Sequence, residues 1–148
     1  SKTDGFPLMS KDGFTIADKF LIIMKQRYPV LYQELTRIDC ERGWFPLINK
    51  LSGIIENEII KRKTEDMYVE QIKEKFGELR FYMNKTTDFN RGAIALAREM
   101  SHNICEECAG RADTHLIGDY YTTLCSIHAD DARKEFKKEV SDWSEDEL

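Results

Sequence analysis

The sequence lacks most features that would place it quickly. No apolar run is longer than the five residues of Phe20–Met24, far short of the roughly 20 residues needed to span a bilayer. The eight glycines are scattered singly, so there is neither a G-x-G-x-x-G fingerprint nor a P-loop. No segment repeats and none is of low complexity. Ser1–Gly5 holds no apolar stretch, so no signal peptide is expected and the setting is read as cytoplasmic. A surplus of basic residues is missing too: 22 Lys and Arg face 27 Asp and Glu, a net charge of −5. Four of those acids lie in residues 142–148, which leaves 22 bases against 23 acids, or −1, in the body. A nearly neutral body with an acidic tail lacks the footprint of a strong nucleic-acid binder.

The composition that remains is globular. It is 41% hydrophobic, 33% charged and 11% aromatic over 148 residues, enough for one domain with a real core and a small appendage.

Three of the four cysteines fall in one pattern. Cys105-Glu106-Glu107-Cys108 is followed, sixteen residues on, by Cys125-Ser126-Ile127-His128. Zinc takes four soft or borderline ligands in a tetrahedron. A C-x2-C pair on a tight turn spans one edge, and a C-x2-H pair on the first turn of a helix spans the opposite one. Cys105, Cys108, Cys125 and His128 are therefore the predicted zinc ligands. Four protein ligands leave no open position for substrate, so the zinc is expected to be structural, stapling roughly the last 45 residues. A disulfide would need an oxidising compartment. A redox C-x-x-C would need a depressed thiol pKa, which two glutamates between the cysteines oppose.

The rest of the chain reads as an α+β protein. Residues 1–13 form a polar arm, 14–103 a helical and β-hairpin core, 104–141 the zinc module and 142–148 the acidic tail. Thr15 is the expected N-cap of a first helix with Ile16, Phe20, Ile23 and Met24 at helical spacing. Pro29 breaks it, and Val30–Arg37 is read as its continuation. A second helix opens at Trp44-Phe45-Pro46, with an apolar stripe of Leu47, Leu51, Ile54, Ile55 and Ile59. Two strands at 67–74 and 78–84 meet near Phe76-Gly77. A third helix over 90–103 is given Ile94, Ala97, Met100 and Ile104 as one face. Within the module the expected order is a turn at 105–110, a hairpin turning near Gly118-Asp119, and a last helix opened by Cys125. That helix carries Ala129, Ala132, Phe136, Val140 and Trp143.

A turn, a hairpin and a helix bearing the last two ligands resembles a treble-clef zinc finger over residues 103–140. Such turns commonly place Gly directly after the second cysteine. Here Ala109 precedes Gly110, so a one-residue shift of the turn is expected. A wider pattern, Gly43-Trp44-Phe45-Pro46-Leu47-Ile48, Lys73–Tyr82, Cys105-Glu106-Glu107-Cys108 and Thr123-Leu124-Cys125 with His128, resembles small uncharacterised proteins of phages, prophages and bacteria over residues 43–130. That resemblance implies a bacterial or phage-infected cytoplasm and no settled activity.

No catalytic set is assigned. Treble clefs also underlie HNH-type nucleases, which carry a catalytic His on the hairpin; His115 is the candidate here. The three histidines contain no H-E-x-x-H pair. Glu70/Glu74 and Glu106/Glu107 read as solvated faces. Two regions are candidate binding surfaces. On the central hairpin Phe76 sits at the turn, and Arg80 and Tyr82 share the face opposite Leu79, Phe81 and Met83. At Trp44-Phe45 two adjacent aromatics serve as a helix-entry staple or a groove wall. Trp44, Tyr82 and Arg80 also make up a minimal kit for a small nucleotide, an aromatic to stack and an arginine for phosphate.

The leading expectation is a non-enzymatic, zinc-stabilised protein-interaction factor, a phage or bacterial regulator or inhibitor with a protein partner. A nucleotide-sequestering protein and an HNH-like metal-dependent nuclease are the alternatives.

Overall fold

A computed structural model describes residues 13–143. The arm, apart from Gly13, and the tail beyond Trp143 lie outside the described residues. Helix α1 (Ile16–Arg27) begins as its sequence asks. Thr15 Oγ1 accepts from Asp18 N at 3.0 Å, and Asp18 Oδ2 accepts from Thr15 N at 2.9 Å, a capping box that satisfies two otherwise orphaned donors. The helix stops at Arg27, just short of Pro29, and residues 30–37 are turns and extended chain rather than further helix. Its buried face is only partly the expected one: Met24 is buried and Phe20 packs against the core. Leu21 and Met24 point inward, while Ile16 and Ile23 are exposed. The reason is the segment that follows. Leu31, Tyr32, Leu35 and Ile38 are all buried and run along the Leu21–Met24 side.

Two polar devices hold that segment. The Leu31 amide donates to the buried Glu56 carboxylate at 2.9 Å. Ser52 Oγ donates to the Ile48 carbonyl at 2.7 Å, so it accepts from Tyr32 at 2.5 Å. Burial pushes the Tyr32 hydroxyl well above its usual pKa, partly offset by its bond to Ser52.

Helix α2 (Phe45–Arg62) has Pro46 in its first turn, where the missing N–H is harmless, and ends at Lys63 in the left-handed region. It buries Leu47, Ile48, Leu51, Ile55 and Ile59, whereas Ile54 faces solvent. Strands β1 (Val69–Lys75) and β2 (Glu78–Met83) form an antiparallel hairpin. The register shifts between Val69 and Gln71. This bulge explains why Val69 and Ile72, three apart, both face the core. Helix α3 spans Asp88–Ser101, capped by Thr87, whose hydroxyl accepts from Asn90 N at 3.2 Å.

A second hairpin, β3 (Asp113–Ile117) with β4 (Tyr120–Leu124), turns at Gly118-Asp119 as expected. Helix α4 (Ser126–Ser141) follows, with Cys125 as its N-cap. Among the described residues the architecture is α+β: four α-helices and two separate two-stranded antiparallel sheets. One large core draws on α1, the 31–38 segment, Trp44, α2, β1, β2 and α3. The C-terminal module has only a small cluster of its own: Cys105, Ala112, Leu124 and Ala129. Along α4 the predicted stripe packs at Ala129, in part at Ala132, and at Phe136, whose ring lies against Gly118 of the β3–β4 turn. Val140 and Trp143 are exposed.

Candidate metal centre

The four predicted ligands converge. Cys105, Cys108, Cys125 and His128 each offer one donor atom, and these atoms all lie within 4.8 Å of one another. Bond lengths of about 2.3 Å to sulfur and about 2.0 Å to nitrogen give tetrahedral edges of about 3.8 Å for S–S and about 3.5 Å for S–N. The Cys108–Cys125 sulfurs are 3.9 Å apart, and Cys105 Sγ to His128 Nδ1 is 3.6 Å. The Cys125–His128 edge is tighter, at 3.1 Å. The group could therefore hold one metal ion, with Nδ1 as the imidazole donor.

Local structure prepares each donor. The Ala109 amide donates to the Cys105 carbonyl at 2.8 Å, and the Cys105 amide to the Gly110 carbonyl at 2.7 Å. Together they close the turn between its ligands. Ala109 has φ +68°. The left-handed residue thus follows the second cysteine directly, and the expected one-residue shift does not occur. Alanine instead takes up a conformation that suits glycine, at a cost of about 1 kcal/mol. On the other side Cys125 Sγ accepts from His128 N at 3.4 Å, so this sulfur caps α4 and sits at the positive end of its dipole.

Charge follows from the same geometry. Burial opposes ionisation of Cys105, but the amides of Cys125, Cys108 and Glu107 outweigh it and bring the thiol down to about 7. The Gly110 amide favours the Cys108 thiolate, yet the neighbouring sulfurs of Cys105 and Cys125, with some burial, push that pKa up. The sulfurs of Cys105 and Cys125 raise His128. The cluster attracts positive charge, as a thiolate-rich metal site must.

The site is bolted to the large core through residues the sequence reading treated differently. Glu106 was expected on a solvated face, yet it is buried. Its carboxylate accepts from Glu41 N at 3.0 Å, its carbonyl accepts from Gly43 N at 2.6 Å, and its amide donates to Thr123 O at 3.1 Å. Turning inward lets this one residue join the metal turn, β4 and the 41–44 segment. Gly43 is required by contact: a Cβ there would lie 2.1 Å from the Cys105 carbonyl oxygen. Trp44 is fully buried, and its indole N–H donates to Ile104 O at 2.9 Å. Phe45 stacks on Phe20 at 4.1 Å between centroids. The Trp44-Phe45 pair is thus split between the large core and the α1 contact, and neither lines a shared groove with Tyr82.

The hairpins also meet. Thr123 Oγ1 donates to the Gly77 carbonyl and accepts from Thr114 Oγ1 at 2.8 Å. The Gly77 amide donates to Glu74 at 3.0 Å. The turn between β1 and β2 is thereby fixed against the metal module. Both its residues have positive φ, +55° at Phe76 and +79° at Gly77, which defines the type I′ turn suited to strand twist. Phe76 is nevertheless 63% exposed, with Lys75 Nζ 5.4 Å from its ring.

The remaining candidates are occupied locally. Arg80 is ion-paired to Glu78 at 2.8 Å and donates to the Tyr82 hydroxyl at 3.3 Å. Glu78 also meets His102 Nε2 at 3.0 Å. Trp44 is buried away from the other two members of the nucleotide kit, while Arg80 and Tyr82 touch each other on the hairpin. His115 Nε2 donates to Leu124 O at 3.1 Å, and its Nδ1 accepts from Arg133 at 3.0 Å. Both ring nitrogens of the hairpin histidine are thus engaged in tying β3 to β4 and α4. No helix of the described residues is long and apolar enough to cross a membrane.

Sequence reasoning missed Glu106, Gly43 and Thr123. The available signals were weak: an acid inside a C-x-x-C, a glycine before a tryptophan, and a threonine two residues before a ligand. Comparison with family models, with curated proteins and with solved structures gives no match.

Proposed function

We propose that the chain is a non-enzymatic protein-interaction factor whose C-terminal third is held by one structural zinc ion and whose docking element is the Phe76 turn. A single observation carries this reading. Phe76 is a large aromatic in a left-handed backbone position, mostly exposed, on a turn fixed by Glu74 on one side and Thr123 on the other. Positive φ in a bulky residue is strained, and an exposed ring gains little from folding. Selection for the fold alone would favour Gly or Asn there. Rigid presentation of an aromatic is how interface anchors work, since little entropy is lost on docking. Arg80 and Tyr82, further along β2 from the turn, extend this surface with polar groups.

Zinc is the metal the donor set favours. Three thiolates and an imidazole in a tetrahedral arrangement suit it, and a closed set of four suits a structural role. The module needs it, because four buried apolar residues make too small a core to stand alone. When bound, the ion cross-links turn and helix. The chain's own residues then pass that rigidity through Glu106 and Thr123 to the 41–44 segment and the hairpin turn. The order of turn, hairpin and helix supports the treble-clef reading, and a bacterial or phage-infected cytoplasm is the setting in which such a factor would act.

The test is site-specific photo-crosslinking. A photoreactive phenylalanine at position 76, in protein expressed in a bacterial host carrying the cognate phage or prophage, should capture one discrete partner. The same probe at Lys85, an exposed residue beyond β2, should not. Equal or absent capture at both positions overturns the reading.

A further inference from the structure

A cavity of about 410 Å³ lies where the end of α2 comes beside the start of α3. Glu58, Ile59 and Arg62 line it from α2, and Asp88, Phe89 and Asn90 from α3. Of the two helix ends, only one is satisfied. The Ile59 carbonyl of α2 accepts from Thr64 N at 3.1 Å and from Thr64 Oγ1 at 3.3 Å. The Ile60 carbonyl accepts from Lys63 N at 3.2 Å. At the start of α3, Thr87 serves the amides of Asn90 and Arg91. Those of Asp88 and Phe89 meet no acceptor among the described residues. Such first amides have no partner within their helix and carry the positive end of its dipole.

A second observation is independent of the helix end. Asn90 is 1% exposed, and its Oδ1 is buried with no donor among the described residues. Buried polar groups are almost always hydrogen-bonded, so this amide gives the fold nothing that an apolar side chain would not. Asn90 lines the cavity, and a donor placed there would satisfy it. Charge narrows the choice of ligand. Arg62 spends its Nε on Glu58 at 3.0 Å, and its two Nη groups meet no acceptor among the described residues. Asp88 is paired with Arg91. One negative charge is therefore welcome between Arg62 and the helix end, while a dianion would be repelled by the two acids. Asp88 and Asn90 are two residues apart, about 3 Å along the axis, so the ligand's acid and its donor must be neighbours as well. Ile59 and Phe89 supply an apolar wall.

We infer that this cavity binds a carboxylate whose α-carbon bears an N–H and an apolar side chain. A free apolar amino acid and the last residue of a peptide share that group. The carboxylate takes the amides of Asp88 and Phe89 and the Arg62 fork, the N–H donates to Asn90 Oδ1, and the side chain lies against Ile59 and Phe89. The site follows β2, at the opposite end of that strand from the Phe76 turn, and does not rest on the reading of that turn.

Amide NMR of the isotope-labelled, zinc-loaded full chain tests this. L-leucine, N-acetyl-L-leucine, isocaproate and L-leucinamide are each titrated to about 20 mM, so that even millimolar binding registers. One or both of the first two should shift the Asp88, Phe89 and Asn90 amides in a saturable way. Isocaproate, which lacks the N–H, and leucinamide, which lacks the carboxylate, should bind at least about tenfold more weakly. Tighter binding of leucine assigns the site to a free amino acid, and tighter binding of the acetylated form assigns it to a peptide end. Asn90→Leu is close in volume. It should weaken binding at least about tenfold yet melt no lower than wild type, because the carbonyl it removes has no partner to lose. Arg62→Gln, on an exposed side chain, should weaken binding similarly and guards against a fold effect at Asn90. Absence of a saturable shift with both leucine probes overturns the inference. So does equal binding of isocaproate or leucinamide, or wild-type affinity in either variant.

Discussion

The indole N–H of Trp44 donates to the carbonyl of Ile104 across sixty residues of sequence. With Gly43 N on Glu106 O, it makes the start of α2 the seat of the metal turn. The two parts of the chain are thus joined at backbone level directly beside Cys105, the first candidate metal ligand.

Gly43→Ala should show how tight that seat is. The added Cβ would lie 2.1 Å from Cys105 O and 2.4 Å from Glu106 O, so backbone must move. A loss of at least about 3 kcal/mol in denaturant unfolding is expected, the upper range for overpacking, together with weaker zinc retention against a chelator. Wild-type stability in Gly43→Ala would place the module elsewhere.

Trp44→Phe keeps most of the ring and removes the donor. It leaves the Ile104 carbonyl buried without that partner, which should cost about 1–3 kcal/mol. Chemical denaturation followed by far-UV circular dichroism measures it.

Two residues with positive φ invite the same experiment with different consequences. Ala109→Gly should stabilise the protein by about 0.5–1 kcal/mol, since glycine fits φ +68° without strain. Phe76→Gly should also stabilise, by a similar about 0.5–1 kcal/mol, yet abolish partner capture. A gain in stability with a loss of binding is the signature of strain kept for function. Loss of both would mean that Phe76 is there for the fold.

Glu56 gives a pH signature. Burial raises its pKa, and the amides of Leu31 and Val30 only partly oppose this. A raised value means the folded protein holds this proton more tightly than the unfolded chain does. The favourable contribution is complete below the unfolded value of about 4.3 and is lost as pH rises through the folded value. Glu56→Gln has no such loss. Its stability relative to wild type should therefore improve from pH 4 to pH 7, as read by melting temperature across that range. A constant difference would contradict the assignment.

Much of this was legible in the residues, and the rest fails for identifiable reasons. Ligand spacing is set by the metal's tetrahedron, so Cys105, Cys108, Cys125 and His128 could be read without a fold. The Phe76-Gly77 and Gly118-Asp119 turns announced themselves by their glycines. The inner face of α1 was only half legible: Phe20 and Met24 pack inward as expected, but Ile16 and Ile23 are as apolar as the buried Leu21 and lie outside. Only the path of the 31–38 segment selects between them. Glu106 looked solvated because its partner, the Glu41 amide, is a backbone group 65 residues away. Along α3 and just past it periodicity holds for Ala97, which is buried, and for Ile94 and Ile104, which pack against the core, and fails at Met100, which is exposed.

The most direct test of the central claim is native mass spectrometry of the wild type and of Cys105→Ser/Cys125→Ser, each paired with a thermal melt. The account expects one zinc ion per wild-type chain. It expects none in the double variant, with a melting temperature lower by at least about 10 °C, since metal binding is coupled to folding of the module. A metal-free wild type with all four thiols freely alkylated in the folded protein would contradict it, as would a double variant that melts like the parent.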